Sequence, residues 1–96
     1  MTHRFVPEAA TELRIAARSY ERERQGLGVA FREEVRSIVD QVMKFPEICQ
    51  EIGNGARRCC LKRLPYGIFY KRYRDEIIIY AVSHLHRDPD HWRDRL

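Results

Sequence analysis

Two apolar stripes at helical spacing, separated by a Gly-Leu-Gly break, constrain this chain more than any other feature. Ala9, Ala10, Leu13, Ala16, Ala17 and Tyr20 recur every three or four residues, which marks one face of a helix. Glu12, Arg14, Arg18, Glu21 and Arg22 fall on the opposite face. The pattern predicts a helix of about five turns, from near Pro7 to Gln25. Pro7 suits the first helical position, and Glu8 sits in the first turn where the helix dipole favours an anion. Gly26-Leu27-Gly28 ends that helix. Phe31, Val35, Ile38, Val42 and Phe45 then repeat the period, with Val39 widening the stripe. Pro46 stops the second helix, because the residue before a proline avoids helical angles. Two such helices make an antiparallel hairpin. Each has one oily face, so another layer must cover both.

That layer is supplied by extended segments. Arg4-Phe5-Val6 precedes the first helix. After the second, Gly53-Asn54-Gly55 signals a turn, and Arg57 to Leu64 reads as a strand. Pro65-Tyr66-Gly67 breaks it, and Ile68 to Tyr73 is a strand by its aromatic content. Arg74-Asp75-Glu76 makes a polar turn. Ile77 to Val82 is the strongest strand and is expected to be central, since both its faces are apolar. The expected order is β-α-α-β-β-β, an α+β class with an antiparallel sheet and the helical hairpin packed on one face. The other face is expected to be partly open, and there a partner or substrate would sit.

Ninety-six residues fit one small domain, assigned to 1–96. No apolar run approaches the roughly 20 residues of a membrane span. Met1-Thr2-His3-Arg4-Phe5 has no signal-peptide core, so a cytoplasmic location without membrane association is expected. Three cysteines, at 49, 59 and 60, make a poor disulfide framework, and their absence from any CxxC pair argues against structural zinc. They are expected to be reduced and to act as small apolar residues.

Charge is unevenly placed. Residues 1–48 hold eight basic and eight acidic side chains, whereas residues 49–96 hold ten and six, so the net +4 lies in the second half. From Arg57 to Arg74 every charged residue is basic: Arg57, Arg58, Lys62, Arg63, Lys71, Arg72 and Arg74. Such density attracts polyanions or acidic proteins, unless it merely keeps a sheet face soluble. Lys62, Arg63, Lys71, Arg72, Arg87 and Arg95 are the leading candidate contacts. Neighbours along a strand point to opposite faces, so Lys62 must diverge from Arg63, and Lys71 from Arg72. One set would then serve the target and the other a second partner.

The tail from His84 to Leu96 carries three of the four histidines. Imidazoles move protons near neutral pH, which makes His84, His86 and His91 candidates for an acid or base. His84-x-His86 could also pair on a metal, but no third ligand has a firm spacing, so neither metal nor cofactor is expected. Asp88 and Pro89 read as a capped turn. Trp92 is expected to anchor the tail and support its contacts. No serine lies in a glycine-rich elbow, and no glycine-rich phosphate loop exists. Carboxylates are too scarce in the strands for a two-metal nuclease. A cationic face with a few imidazoles steadies a phosphate or docks an acidic surface.

The chain as a whole resembles the RelE/ParE superfamily of toxins from type II toxin–antitoxin systems, often described as plasmid stabilisation proteins. Phe5 to Leu13 is similar to the family's opening F-x-P-x-A-x-x-E-L, through Pro7, Ala9, Glu12 and Leu13. Gly26-Leu27-Gly28 with Phe31 and Val35 is similar to its hairpin turn and second helix. Leu64 to Tyr70 is similar to its Pro-Tyr-x-Ile-x-Tyr strand. Val82 to Pro89, then Trp92 and Arg95, is similar to its closing His-x-x-Arg-x-Pro and Trp-x-x-Arg.

The resemblance implies a toxin neutralised by a cognate antitoxin in a hetero-oligomer. ParE-like members poison DNA gyrase and are not hydrolases. RelE-like members cut mRNA on the ribosome with sheet Lys and Arg plus a Tyr, His or Glu near the C-terminus. This tail has no Tyr after Tyr80, and its Arg-Asp-Pro and Trp ending is more like the ParE group, so gyrase is the favoured target. In the alternative nuclease reading, His84, Arg87 and His91 would be catalytic. A third reading is a nucleic-acid-binding module without toxicity. The basic stretch fits it, but Tyr66, Phe69, Tyr70, Tyr73 and Tyr80 are as easily sheet packing, and no RNA-binding signature is present.

Overall fold

The computed structural model describes residues 1–87 and 91–96. Its elements are β1 (Thr2–Phe5), α1 (Pro7–Glu23), α2 (Leu27–Lys44), β2 (Gln50–Gly53), β3 (Ala56–Cys60), β4 (Tyr66–Tyr73) and β5 (Glu76–His84), followed by a 3-10 turn at Arg93–Arg95. The class is α+β. The turn assigned in sequence to Asp88 and Pro89 lies outside the described residues.

Both helices begin where the sequence places their signals. Val6 is extended and Pro7 is the first residue of α1. Gly26, with φ +88°, takes the left-handed conformation that starts α2. The Glu21 carboxylate accepts from the backbone N–H groups of Gly26 and Gly28, each at 2.9 Å, satisfying donors that a helix start leaves without partners. At Gly28 the helices cross so closely that a β-carbon would stand 2.5 Å from the Ala17 carbonyl oxygen. The expected stripes are inward. Ala9, Ala16, Ala17, Phe31, Val35, Val39 and Val42 are buried, with Leu13, Tyr20 and Ile38 packed against them. Phe45 departs from its stripe. It ends α2 with non-helical angles and is 64% exposed.

The sheet order is β1-β5-β4-β3-β2. β3, β4 and β5 form the expected meander, but the sheet is mixed, because β1 pairs parallel to β5 from Thr2↔Glu76 to Phe5↔Ile79. β5 is an interior strand and β4 is the middle one. Ile77, Ile79 and Val82 of β5 join Ile68 and Tyr70 of β4 in the core beneath the helices. β1 stops at Phe5 because Pro7 opens α1, so β5 beyond Ile79 has no strand on that side. A register shift between Phe69 and Tyr70 falls at the same level.

Two expectations fail at β3. The strand ends at Cys60, and Leu61 to Pro65 is a loop, so Lys62 and Arg63 do not alternate across a sheet. The cysteines are not all reduced: Cys49 and Cys59 form a disulfide and only Cys60 is free. The cause is β2, which the sequence reading lacked. Around the Gly53-Asn54-Gly55 turn, β2 and β3 pair with Gln50 opposite Arg58, and that register sets Cys49 opposite Cys59. Their Cα atoms are 5.3 Å apart, within the usual range for a bridge.

Candidate functional site

Strand alternation sorts the basic residues. Ile68 faces the helices, so its neighbours Phe69 and Gly67 face away. Phe69, Ala81, Ala56 and Trp92 form a second buried cluster, with Ile52 against it. This far face is therefore partly covered by the C-terminal segment. Trp92 is 1% exposed, and its ring lies 5.6 Å from that of Phe69. It is an anchor, buried in the described structure.

The segment is held at its other end by Glu12. From the helix α1, this carboxylate reaches the side of β5 that β1 leaves free. Oε1 accepts from the Val82 backbone N–H at 3.0 Å and from Arg95 at 2.8 Å, while Oε2 accepts from Arg87 and Arg95, each at 3.0 Å. Arg95 also donates to the Tyr80 carbonyl at 2.9 Å. Glu12 and Arg95 thus satisfy two backbone groups that a neighbouring strand would otherwise bond. Their side chains are only 14% and 13% exposed, whereas Arg87 is half exposed. The bonded carboxylate raises the Arg95 pKa above its already high value, with burial working against it. His91 Nε2 lies 3.8 Å from the same Glu12 oxygen.

The histidine cluster is local. The His86 backbone N–H donates to His84 Nδ1 at 3.1 Å. The His84 ring packs edge-on to Tyr66 at 5.4 Å and to His86 at 5.1 Å. The Tyr66 hydroxyl pKa is raised, first by burial and then by Glu12. Among the described residues no three His, Cys, Asp or Glu side chains gather as a metal site.

The remaining cations divide by position. Arg57 donates to the carbonyls of Cys49 at 2.7 Å and Glu47 at 3.3 Å. Arg72 donates to the Arg74 carbonyl at 2.9 Å and lies 3.9 Å from Asp75. Lys71 sits opposite Ala56 and Arg58 opposite Phe69, which places both on the far face, while Arg72 points to the other. Lys62 and Arg63 are exposed in the loop after β3. Among the described residues no carboxylate lies within ion-pair distance of Arg58, Lys62, Arg63 or Lys71. The proposed contacts therefore do not form one patch. Arg87 and Arg95 gather on Glu12, Arg72 engages its own turn, and Lys62, Arg63 and Lys71 have no ion-pair partner among the described residues. Sequence reasoning passed over Arg58 as a contact, although its Nε is buried without a hydrogen-bond partner among the described residues. It also missed what Glu12 holds. The motif position of Glu12 was the available signal, but a polar helix face normally reads as solvated.

A two-helix hairpin over a mixed five-stranded sheet, with its tail tied back to the first helix, defines a small α+β protein. The family model described as "ParE toxin of type II toxin-antitoxin system, parDE" matches residues 4–89. The chain belongs to that family and is a type II toxin. No curated protein matches it. Among solved structures it is similar to the chromosomal ParDE toxin–antitoxin system from P. aeruginosa, with a TM-score of 0.65 and 20% identity over 90% of this chain and 97% of that one. At that identity the likeness speaks for the fold. No described helix is long and apolar enough to cross a membrane.

Proposed function

We propose that the chain, as one toxin domain, inhibits DNA gyrase in the cytoplasm and is silenced by a cognate antitoxin with which it forms a hetero-oligomer. A plasmid-stabilising role would follow where such a pair is plasmid-borne. One observation carries the choice of gyrase over the ribosome. Arg87 and His91, which the nuclease reading sets at the scissile phosphate, face the Glu12 carboxylate. The Arg87 guanidinium is already engaged by that carboxylate at 3.0 Å, so a phosphate would have to compete with Glu12 for it. Lys62 and Arg63 in the loop after β3, and Lys71 separately on the far face, all without an ion-pair partner among the described residues, are the cations left for a target or for the antitoxin. Purified chain should block supercoiling by purified gyrase, and product of the adjacent reading frame should relieve the block. Cleavage of A-site mRNA by chain and ribosomes, lost when His84, His86 and His91 are replaced, would overturn the gyrase reading and restore the nuclease.

A further inference from the structure

The Cys49–Cys59 bridge stands at the β2 edge of the sheet. β2 is four residues long, carries a register irregularity between Glu51 and Gly53, and pairs only with β3. Only Ile52 of this strand is even half buried. A strand with so little buried apolar area gains little from packing and depends on its ladder. Four other ties cross the seam: Arg57 to the Glu47 and Cys49 carbonyls and, at 4.0 Å, to the Glu51 carboxylate, and the Tyr70 hydroxyl to the Pro46 carbonyl at 2.8 Å. Beside them Phe45 and Ile48 are 64% and 51% exposed, so they add little anchorage.

The bridge is also reachable. Cys49 and Cys59 line an open groove of about 950 Å³ between α2 and the loop after β3. Its loop-side wall holds Lys62 and Arg63, two cations whose side chains have no carboxylate partner among the described residues. Of the acids on the helix wall, Glu34 is engaged by the Lys62 backbone N–H at 2.7 Å. Glu23, Glu33 and Arg24 also line the groove, so its charge is mixed, with Lys62 and Arg63 supplying the cations on the loop side. Cys49 is the more exposed of the two and so the more accessible to attack.

We propose that the Cys49–Cys59 bridge is a reducible clip, opened by an anionic low-molecular-weight thiol of the glutathione class, that decides whether the sheet ends at β2 or at β3. A thiolate attacks Cys49 Sγ. The S–S bond breaks, and Cys59 leaves as a thiolate that takes a proton from water. A second thiolate attacks the small-molecule sulfur of the mixed disulfide and releases Cys49. Two thiols are oxidised to one small disulfide, and the protein bridge is reduced to two thiols. The β2 segment then loses its covalent tie. The freed edge of β3 presents unpaired N–H and C=O groups, the kind of edge to which an extended peptide adds. Cys60, free and exposed, lies opposite Gly67 and also lines the rim of the groove; the proposed exchange does not use it.

Hydrogen exchange on the full chain, oxidised and then equilibrated with reduced glutathione, tests this. Amides of residues 47–60 should exchange at least about tenfold faster after reduction, while those of β4 and β5 keep their protection. Thiol titration should rise from one per chain to three. In exchange, Cys60→Ser should behave as the natural chain, its thiols rising from none to two, and Cys49→Ser, with two thiols throughout, should match the reduced form under both conditions. Three titratable thiols in air-oxidised protein, unchanged exchange over residues 47–60 after complete reduction, or loss of protection across the whole sheet would each overturn the proposal. The reduced natural chain decides the matter if Cys49→Ser fails to fold.

Discussion

The tail cations and the loop cations look alike in sequence and differ in what they can reach. Arg87 and Arg95 converge on one carboxylate, and Arg95 is nearly buried with it. Lys62 and Arg63 stand exposed after β3, and Lys71 sits among the residues of the far face, none with its charged nitrogen in ion-pair reach of a carboxylate among the described residues. Net charge counts both groups equally. Only the second has its Coulomb attraction left for another molecule. A basic sequence run is therefore evidence of binding only after the charges already engaged inside the fold have been removed.

The largest effects should come from loosening the tail. Trp92→Ala empties the centre of the far-face cluster and should lower stability by about 3–5 kcal/mol, read by thermal or urea melting. A melt unchanged by this substitution would mean that the tail is not part of the folded unit. Glu12→Ala leaves Arg95 without its carboxylate and the Val82 N–H without an acceptor, and should cost about 3 kcal/mol. Glu12→Gln, which keeps the shape and one acceptor, should cost less. If Glu12→Ala melts like the natural chain, Arg87 and Arg95 belong with the available cations after all.

A smaller effect reads the seam of the sheet through pH. Burial raises the Tyr70 pKa above its usual value near 10, against smaller opposing contributions from a backbone hydrogen bond and Arg57. The folded state then holds the phenolic proton longer than the unfolded chain. Stability is complete below about pH 10 and falls as pH rises through the higher folded value. Tyr70→Phe should melt slightly lower at pH 7, having lost its bond to Pro46, and show a shallower decline in alkali. The smallest effect on folding should come from Lys62→Glu with Arg63→Glu, each within about 0.5 kcal/mol. That double variant should nevertheless weaken gyrase inhibition or antitoxin binding, measured side by side. Full binding to both in this variant, with loss in a normally folded Arg87→Glu protein, would reverse the comparison.

Both helices and the two long strands were legible because their apolar residues recur with a clear period or in an unbroken run. β2 was not. Gln50, Glu51 and Gly53 are poor strand formers, and this segment is a strand only because the tight turn at Asn54 folds it onto β3. The disulfide was hidden for the same reason, since its partners become neighbours only through that pairing. The loop at Lys62 and Arg63 was mistaken for strand because Cys59, Cys60 and Leu61 give no alternation with which to end one. In the candidate site, the residue types were visible and their engagement was not. Glu12 lies seventy residues before Val82 and seventy-five before Arg87, and no local pattern announces a contact at that range.

The pairing of β1 with β5 has a consequence for how the chain reaches its structure. Thr2 meets Glu76 and Phe5 meets Ile79, so this ladder closes around nearly everything between. The α1–α2 hairpin and the β3-β4-β5 meander need only short loops and gather quickly. β1 must wait for them, because its ladder has no partner until β5 is in place, and closing a long loop costs more entropy than closing a short one. The N-terminal strand should be the last part of the sheet to form and the first to leave, which makes refolding slower than the helical content alone would suggest.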